Sequence, residues 1–281
     1  MDQNTSIAQH INWRMTDSYN MSIQLRLDGL SFSILDPVTN QYLALSNINL
    51  PQPDHNYALQ EQHLLTNKTL NLHYRRVTIT IDTPTYTLLP TPLYTPQRAN
   101  TLLALNGIRP DNDHKTLTNN IEMANSTTIF TIPNFLYFFL QTQYPNAQIL
   151  HSTTPIITSM LLKRQQQQTN AALHATLTPG AITLTAVKNN QLQLCNTYYC
   201  RETPDYTYIT LYTLQQLNLN PNHTTLTISG NTPQNDPRIT HLQQFLPNLH
   251  TTTLPNYFNY AFPAPPQPHR YNTLLLTPLC A

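Results

Sequence analysis

Two widely separated stretches of this chain carry one pattern, and that duplication limits its fold more than any other feature. In MSIQLRLDGLSFSILDPVTNQYLALSN, apolar and polar residues alternate across Ile23, Leu25 and Leu27, then Leu30, Phe32 and Ile34, then Tyr42, Leu43 and Leu45. Alternation with period two reads as β-strand. The runs break at Asp28-Gly29 and again at residues 36–40, both rich in turn formers, so three antiparallel strands joined by two turns are expected. ALHATLTPGAITLTAVKNNQLQLCNTYY repeats the scheme, with turns at Pro179-Gly180 and Asn189-Asn190 and strands ending near Leu177, over 182–187 and over 192–198. Gly29 to Asn47 and Gly180 to Asn196 span nearly the same interval. Two copies of one unit follow.

What comes after each copy also corresponds. The second meander leads into helical spacing over 204–217, a strand over 224–228, a helix over 236–246 and a short strand over 249–254. The first leads into a strand over 77–81, a helix over 96–105, a strand over 127–132, a helix over 133–143, a strand over 148–151 and a helix over 156–164. An α/β (α+β) fold of two related lobes with mixed five-stranded sheets is the expectation. Its division is a flexible N-terminus 1–19, a first lobe 20–165, a linker 166–170 in the glutamine-rich KRQQQQTN stretch, and a second lobe 171–281. The proline-rich tail AFPAPPQPHRY, with Leu274 to Leu276, reads as a C-terminal strap.

Composition excludes several functions. The chain's 14 Lys and Arg against 13 Asp and Glu make no basic stripe, so nucleic acid is not an expected partner. Four glycines, Gly29, Gly107, Gly180 and Gly230, are too scattered for a dinucleotide or P-loop fingerprint. The first residues are polar, and the longest apolar run, near 135–140, is far short of the ~20 residues that span a bilayer. A soluble, cytoplasmic chain without membrane insertion is expected. Cys195, Cys200 and Cys280 have no metal-ligand spacing and read as reduced thiols. His73, His151 and His174 lie in or beside strands, as structural histidines do, and Asp111 to His114 reads as a polar turn. Thr, Asn and Gln are plentiful while Gly, Asp and Glu are scarce, so the glycines and carboxylates that remain are expected where backbone or chemistry requires them.

Two lobes, each a meander followed by alternating helices and strands, is the plan of the actin-like ATPase superfamily, whose lobes are ribonuclease H-like. LSFSILDP after LRLD-G, then TTIFTIPNFLYFFLQTQYPNAQILHSTTPII, CNTYYC, LTISGN and HRYNTLLLTPLCA resemble a bacterial family of unknown function to which that fold is attributed. The resemblance covers roughly 20–281; a more distant one is to the pilus-assembly and secretion-platform members of the superfamily. It implies that the first turn of each lobe points backbone N–H groups at phosphates and that an Asp beside it holds a divalent metal, a pairing that suits anions and hard cations. Asp28, Gly29 and Ser31 take those positions in the first lobe, with Mg at Asp28; Thr178 and Gly180 take them in the second. Ser229, Gly230 and Asn231 match the strand end that lets backbone approach an adenosine. Each has a plainer reading: Asp28-Gly29 as a hairpin turn, Ser-Gly-Asn as a strand-ending turn.

The second lobe departs from the pattern. No carboxylate occurs between residues 171 and 187, and Pro179 offers no N–H to a phosphate. The leading expectation is therefore a non-catalytic or weakly catalytic member that acts through a protein partner, with a nucleotide lodged in the interlobe cleft. A Mg-dependent ATPase and a structural module with an empty cleft stay open beside it.

Overall fold

The computed structural model describes residues 3–8, 11–50, 57–109, 111–166, 171–233 and 235–280. Strands β1 (Gln3–Ile7), β2 (Asn20–Arg26), β3 (Gly29–Asp36) and β4 (Gln41–Asn49) are followed by helix α1 (Tyr57–Thr66) and strand β5 (Arg76–Ile81). Next come β6 (Tyr86–Pro90), α2 (Ala99–Leu105), β7 (His114–Ile121), β8 (Ser126–Pro133), α3 (Asn134–Gln143), β9 (Gln148–His151) and α4 (Thr153–Gln166). The second half runs β10 (Ala171–Thr178), β11 (Ala181–Lys188), β12 (Gln191–Tyr199), α5 (Thr203–Gln216), β13 (Thr225–Ser229), α6 (Pro237–Gln243), β14 (Leu249–Thr251), β15 (Asn259–Tyr260) and α7 (Asn272–Leu276).

The duplication is written into the sheets. The strand order β4-β3-β2-β5-β9 in the first lobe matches β12-β11-β10-β13-β14 in the second, and the strand directions agree pair by pair. Even a bulge recurs. Register slips between Ile34 and Leu35 against β4, and between Ala186 and Val187 against β12, the same step of β3 and of β11. The paired strands place Gly29 opposite Arg26 and Ala181 opposite Thr178, so Gly29 is equivalent to Ala181 and Asp28 to Gly180. The two glycines that the sequence pattern aligns are thus one residue out of step.

Three features depart from the expected plan. Residues within 1–19 include β1, which pairs antiparallel with β4, so that segment is not simply a flexible leader. The first-lobe sheet has seven strands rather than five, because β1 and β15 both add to the edge of β4. Strand β8, expected as a member of the lobe's sheet, sits instead in a separate three-stranded sheet, β6-β8-β7, inserted between β5 and β9. The linker at 166–170 falls, beyond Gln166, outside the described residues.

The chain end belongs to the other lobe. Phe262, Tyr271, Leu274 and Leu275 cluster with Leu35, Tyr42 and Leu45 of the first sheet, and the Tyr42 hydroxyl donates to the Leu275 carbonyl at 2.8 Å. The strap is helical at α7 and closes on the first lobe, although it follows the second in sequence. On that sheet's opposite face, Ile23, Leu25, Phe32, Ile34, Ile79 and Ile81 form the core with Leu64, Leu136 and Leu140. The second lobe packs Leu173, Leu177, Leu184 and Ile228 against Tyr206, Leu214, Ile239 and Leu242 from α5 and α6. Helix α5 starts where Glu202 and Asp205 each bond the other's backbone end, a capping box with Pro204 in its first turn.

Candidate functional site

Four parallel strands, β2, β5, β10 and β13, end on one crevice between the lobes, where open α/β sheets place their ligands. Arg26, Asp28, Asp82, Thr178, Gly230 and Asn231 line it, with His269 and Arg270 from the segment before α7. The crevice encloses only about 20 Å³.

Its walls are held by hydrogen bonds of the chain's own making. Arg26, 5 % exposed, ends β2 with its guanidinium turned across the hairpin: Nε donates to Asp28 Oδ1 at 2.8 Å, one terminal nitrogen to Ser31 Oγ, the other to Asn47 Oδ1 at 2.9 Å. Ser31 Oγ also donates to Asn47 Oδ1 at 2.9 Å. From the far lobe, Asn231 Nδ2 reaches Asp28 Oδ2 at 2.6 Å and Asn49 Oδ1 at 3.1 Å. Both carboxylate oxygens of Asp28 therefore have partners, one in each lobe. Behind the turn, Gln60 of α1 donates to the carbonyls of Arg26 and Gly29.

Glycine at two of these positions answers to backbone packing. A Cβ on Gly29 (φ +150°) would lie 2.1 Å from the Ile48 carbonyl oxygen, and one on Gly230 (φ +129°) 2.1 Å from that of Leu177. No side chain fits there. The close approach is made by this chain's own strands, β4 and β10. A Cβ on Gly180 (φ +69°) would only touch the Cys200 carbonyl oxygen, at 4.0 Å, so this glycine serves the turn.

Of the eight residues expected at the site, Asp28, Thr178, Gly230 and Asn231 line the crevice. Gly29 and Ser31 stand behind it, in the ladder and in the Arg26 network. Gly180 turns away, its carbonyl accepting from the Cys200 N–H at 2.8 Å. Ser229 Oγ is taken by His174 Nε2 (2.9 Å) and Thr176 Oγ1 (3.3 Å). His174 is buried between Ser229 and Thr227, and His151 between Thr153 and the Thr83 carbonyl; burial pulls them down to about 3 and about 4 respectively, so both are neutral structural groups. Exposed His73 lies in a loop.

Sequence reading missed Arg26 and Asp82. Asp82 follows β5, and burial pushes its carboxyl up to about 6; Asp28 adds to the rise, while a hydrogen bond from Ser152 Oγ (3.1 Å) and the Arg26 charge oppose it. The available signal was position: a lone carboxylate directly after a parallel strand points to the carboxyl-end crevice.

A magnesium nucleotide would have to displace these bonds, because both Asp28 oxygens are engaged and Arg26 fills the bend where phosphate would be cradled; beside the bend the crevice opens into a pocket of about 230 Å³ that shares Leu27, Asp82, Thr178 and Pro179 with it. Gln24 Oε1 and Asn231 Oδ1 are buried without a hydrogen-bond partner at this crevice. The remaining space suits one water-sized donor between them. Among the described residues no three His, Cys, Asp or Glu side chains group around a metal position.

The model of the family described as "Protein of unknown function (DUF3822)" matches residues 8–249. The chain belongs to this family. No curated protein matches it. Its fold is similar to that of a protein of unknown function with an actin-like ATPase fold from Bacteroides thetaiotaomicron, with 24 % identity over 95 % of this chain and 98 % of that one and a TM-score of 0.80. It is similar also to the PilM-PilN type IV pilus biogenesis complex (10 % identity, 92 % and 97 % covered, TM-score 0.57). The ethanolamine utilization protein EutJ from Carboxydothermus hydrogenoformans is a third (8 % identity, 98 % and 93 % covered, TM-score 0.52). This family member thus has the actin-like ATPase fold, and among its described residues no helix is long and apolar enough to cross a membrane.

Proposed function

We propose that this chain is a non-catalytic partner-binding protein built on an actin-like scaffold, in which the chain's own side chains take the place of the nucleotide. The observation that carries the reading is Asp28, bonded by Arg26 from its own lobe and by Asn231 from the other across a crevice of about 20 Å³. Charge-assisted bonds of this kind contribute ~1.5–3 kcal/mol each, so a ligand must displace them before it can enter. That PilM is found in a complex with PilN supports partner binding as a use of the fold.

Calorimetry with Mg-ATP and Mg-ADP is expected to give no binding heat, and malachite-green assays no phosphate release. The competing reading, a Mg-dependent ATPase, draws on the two carboxylates that meet at the crevice, Asp28 and Asp82. Turnover that disappears in Asp28→Asn would establish it and overturn the proposal.

A further inference from the structure

A second groove adjoins the crevice through a pocket lined by Pro84, Thr178, Thr197 and Tyr199. It encloses about 870 Å³ between two sheet edges, β12 of the second lobe and β6 of the inserted sheet. The duplicated architecture says what such an edge is for. Strand β4 is the counterpart of β12, and its outer edge is covered by two added strands, β1 along residues 44–48 and β15 at 41–42. The corresponding positions of β12, residues 194–198 and 191–192, carry no strand among the described residues.

The backbone of β12 has the same outward row. The Cys200 N–H bonds the Gly180 carbonyl, which fixes the alternation: even-numbered residues face β11, and Cys195, Thr197 and Tyr199 turn N–H and C=O outward, the Thr197 N–H donating to the side-chain oxygen of its own neighbour Asn196 at 3.0 Å. On β4 the equivalents of Cys195 and Thr197 are Leu45 and Asn47, which stand opposite Ser6 and Asn4 of β1. Of the other edges, β1 (QNTSI) is free of charge and proline but only five residues long, and the rest are blunted. β14 has three residues, β9 has four, β6 ends in Pro90 and β7 carries Lys115. QLQLCNTYY of β12 has neither charge nor proline, the composition that invites strand addition.

Resting on the partner-binding reading above, we infer that β12 takes an extended segment of a partner polypeptide as an added antiparallel strand along residues 194–198, in the groove it shares with β6. At 3.3 Å per residue, 4.8 Å between strands and 10 Å between layers, 870 Å³ holds about five residues of strand. A second copy of this chain is disfavoured, because β6 and residues 106–109 wall the groove against another whole sheet. Leu192, Leu194 and Leu88 offer apolar surface, Arg109 is a cation of the lining, and no Asp or Glu lines it. The segment is therefore one with apolar side chains at alternate positions and a carboxylate for Arg109.

A phage-displayed library of short random peptides, panned on the full chain, tests this. Expected are binders with that alternating pattern, weakened about tenfold or more when the backbone amides facing β12 are N-methylated. Thr197→Pro, which removes an outward N–H, is expected to weaken them similarly, whereas Thr197→Val, which loses the same hydroxyl bonds to Thr183 and Tyr86 but keeps the N–H, is expected to leave them bound, and binding should slow hydrogen exchange in β12. No binders, binders indifferent to N-methylation, or self-association of the chain through β12 would each overturn the inference while leaving the closed crevice intact. Nucleotide binding, conversely, would sink the reading of the crevice and leave these peptide results standing.

Discussion

The two lobes share strand order, strand direction and even a bulge, yet their first hairpins differ in chemistry. In the first lobe the turn is charged and crosslinked: Arg26, Asp28, Ser31 and Asn47 form one network. At the equivalent places the second lobe has Thr178, Gly180, Thr183 and Thr197, and keeps only the hydroxyl contact of Thr183 with Thr197 at 2.7 Å. Its arginine comes from α6, where Arg238 pairs with Asp236 and donates to the Thr178 carbonyl at 3.0 Å. One backbone unit therefore tolerates a charged or a neutral turn. What it requires is only that buried polar groups find partners.

The sharpest way to break the symmetry of the two turns is to add a methyl group. Gly29→Ala and Gly230→Ala are expected to cost about 4 kcal/mol or more, because a Cβ would strike a carbonyl oxygen that belongs to a strand and cannot step aside. Gly180→Ala, with no clash but a positive φ, should cost only about 1 kcal/mol. Urea midpoints compare them, and equal losses at Gly180 and Gly29 would refute the register assigned to the turns.

Removing the charge from the first turn comes next. Arg26→Met removes the cation beside half-buried Asp28 and leaves Ser31 and Asn47 with only each other and Asn49, and a loss of about 3 kcal/mol is expected. Thr178→Val, the equivalent change in the second lobe, should cost less than about 1 kcal/mol. Asn231→Ala removes the cross-lobe bonds to Asp28 and Asn49. A loss of about 1–2 kcal/mol is expected, with faster hydrogen exchange in the 26–29 hairpin, and unchanged exchange would show that other contacts hold the lobes together.

A pH dependence is confined to the first lobe's crevice wall. With its carboxyl raised to about 6, Asp82 binds a proton more tightly in the folded chain than in the unfolded one. Its ionisation penalty is absent below the unfolded value, grows as pH rises toward 6 and is complete above it. Asp82→Asn should thus stabilise the protein by about 1–2 kcal/mol at pH 7.5, discounted for the partial solvent access of Asp82. The gain should vanish near pH 4 in a series of denaturation curves.

Alternation made the six meander strands legible, and the resemblance to the actin-like superfamily singled out Asp28, Gly230 and Asn231, which line the crevice just past the ends of β2 and β13. Arg26 was not legible. On β2 the residues Ser22, Gln24 and Arg26 look like a solvent face, but all three are buried, because α7 and the second lobe cover that side. The segment 86–133 read as part of a repeat because local periodicity does not say which sheet a strand joins.

By itself the sequence determined the duplicated unit and its strand periods, since these depend on neighbours along the chain; that Gly29 and Gly230 admit no side chain was decided by the carbonyls of Ile48 and Leu177 on other strands. Tertiary structure alone decided that the C-terminal segment crosses back to the first lobe, that β1 covers one sheet edge while the equivalent edge carries no strand among the described residues, and that Arg26 and Asn231 meet at Asp28. Such pairings join residues as many as 233 positions apart. They are set by how two completed sheets pack against each other, which no local pattern encodes.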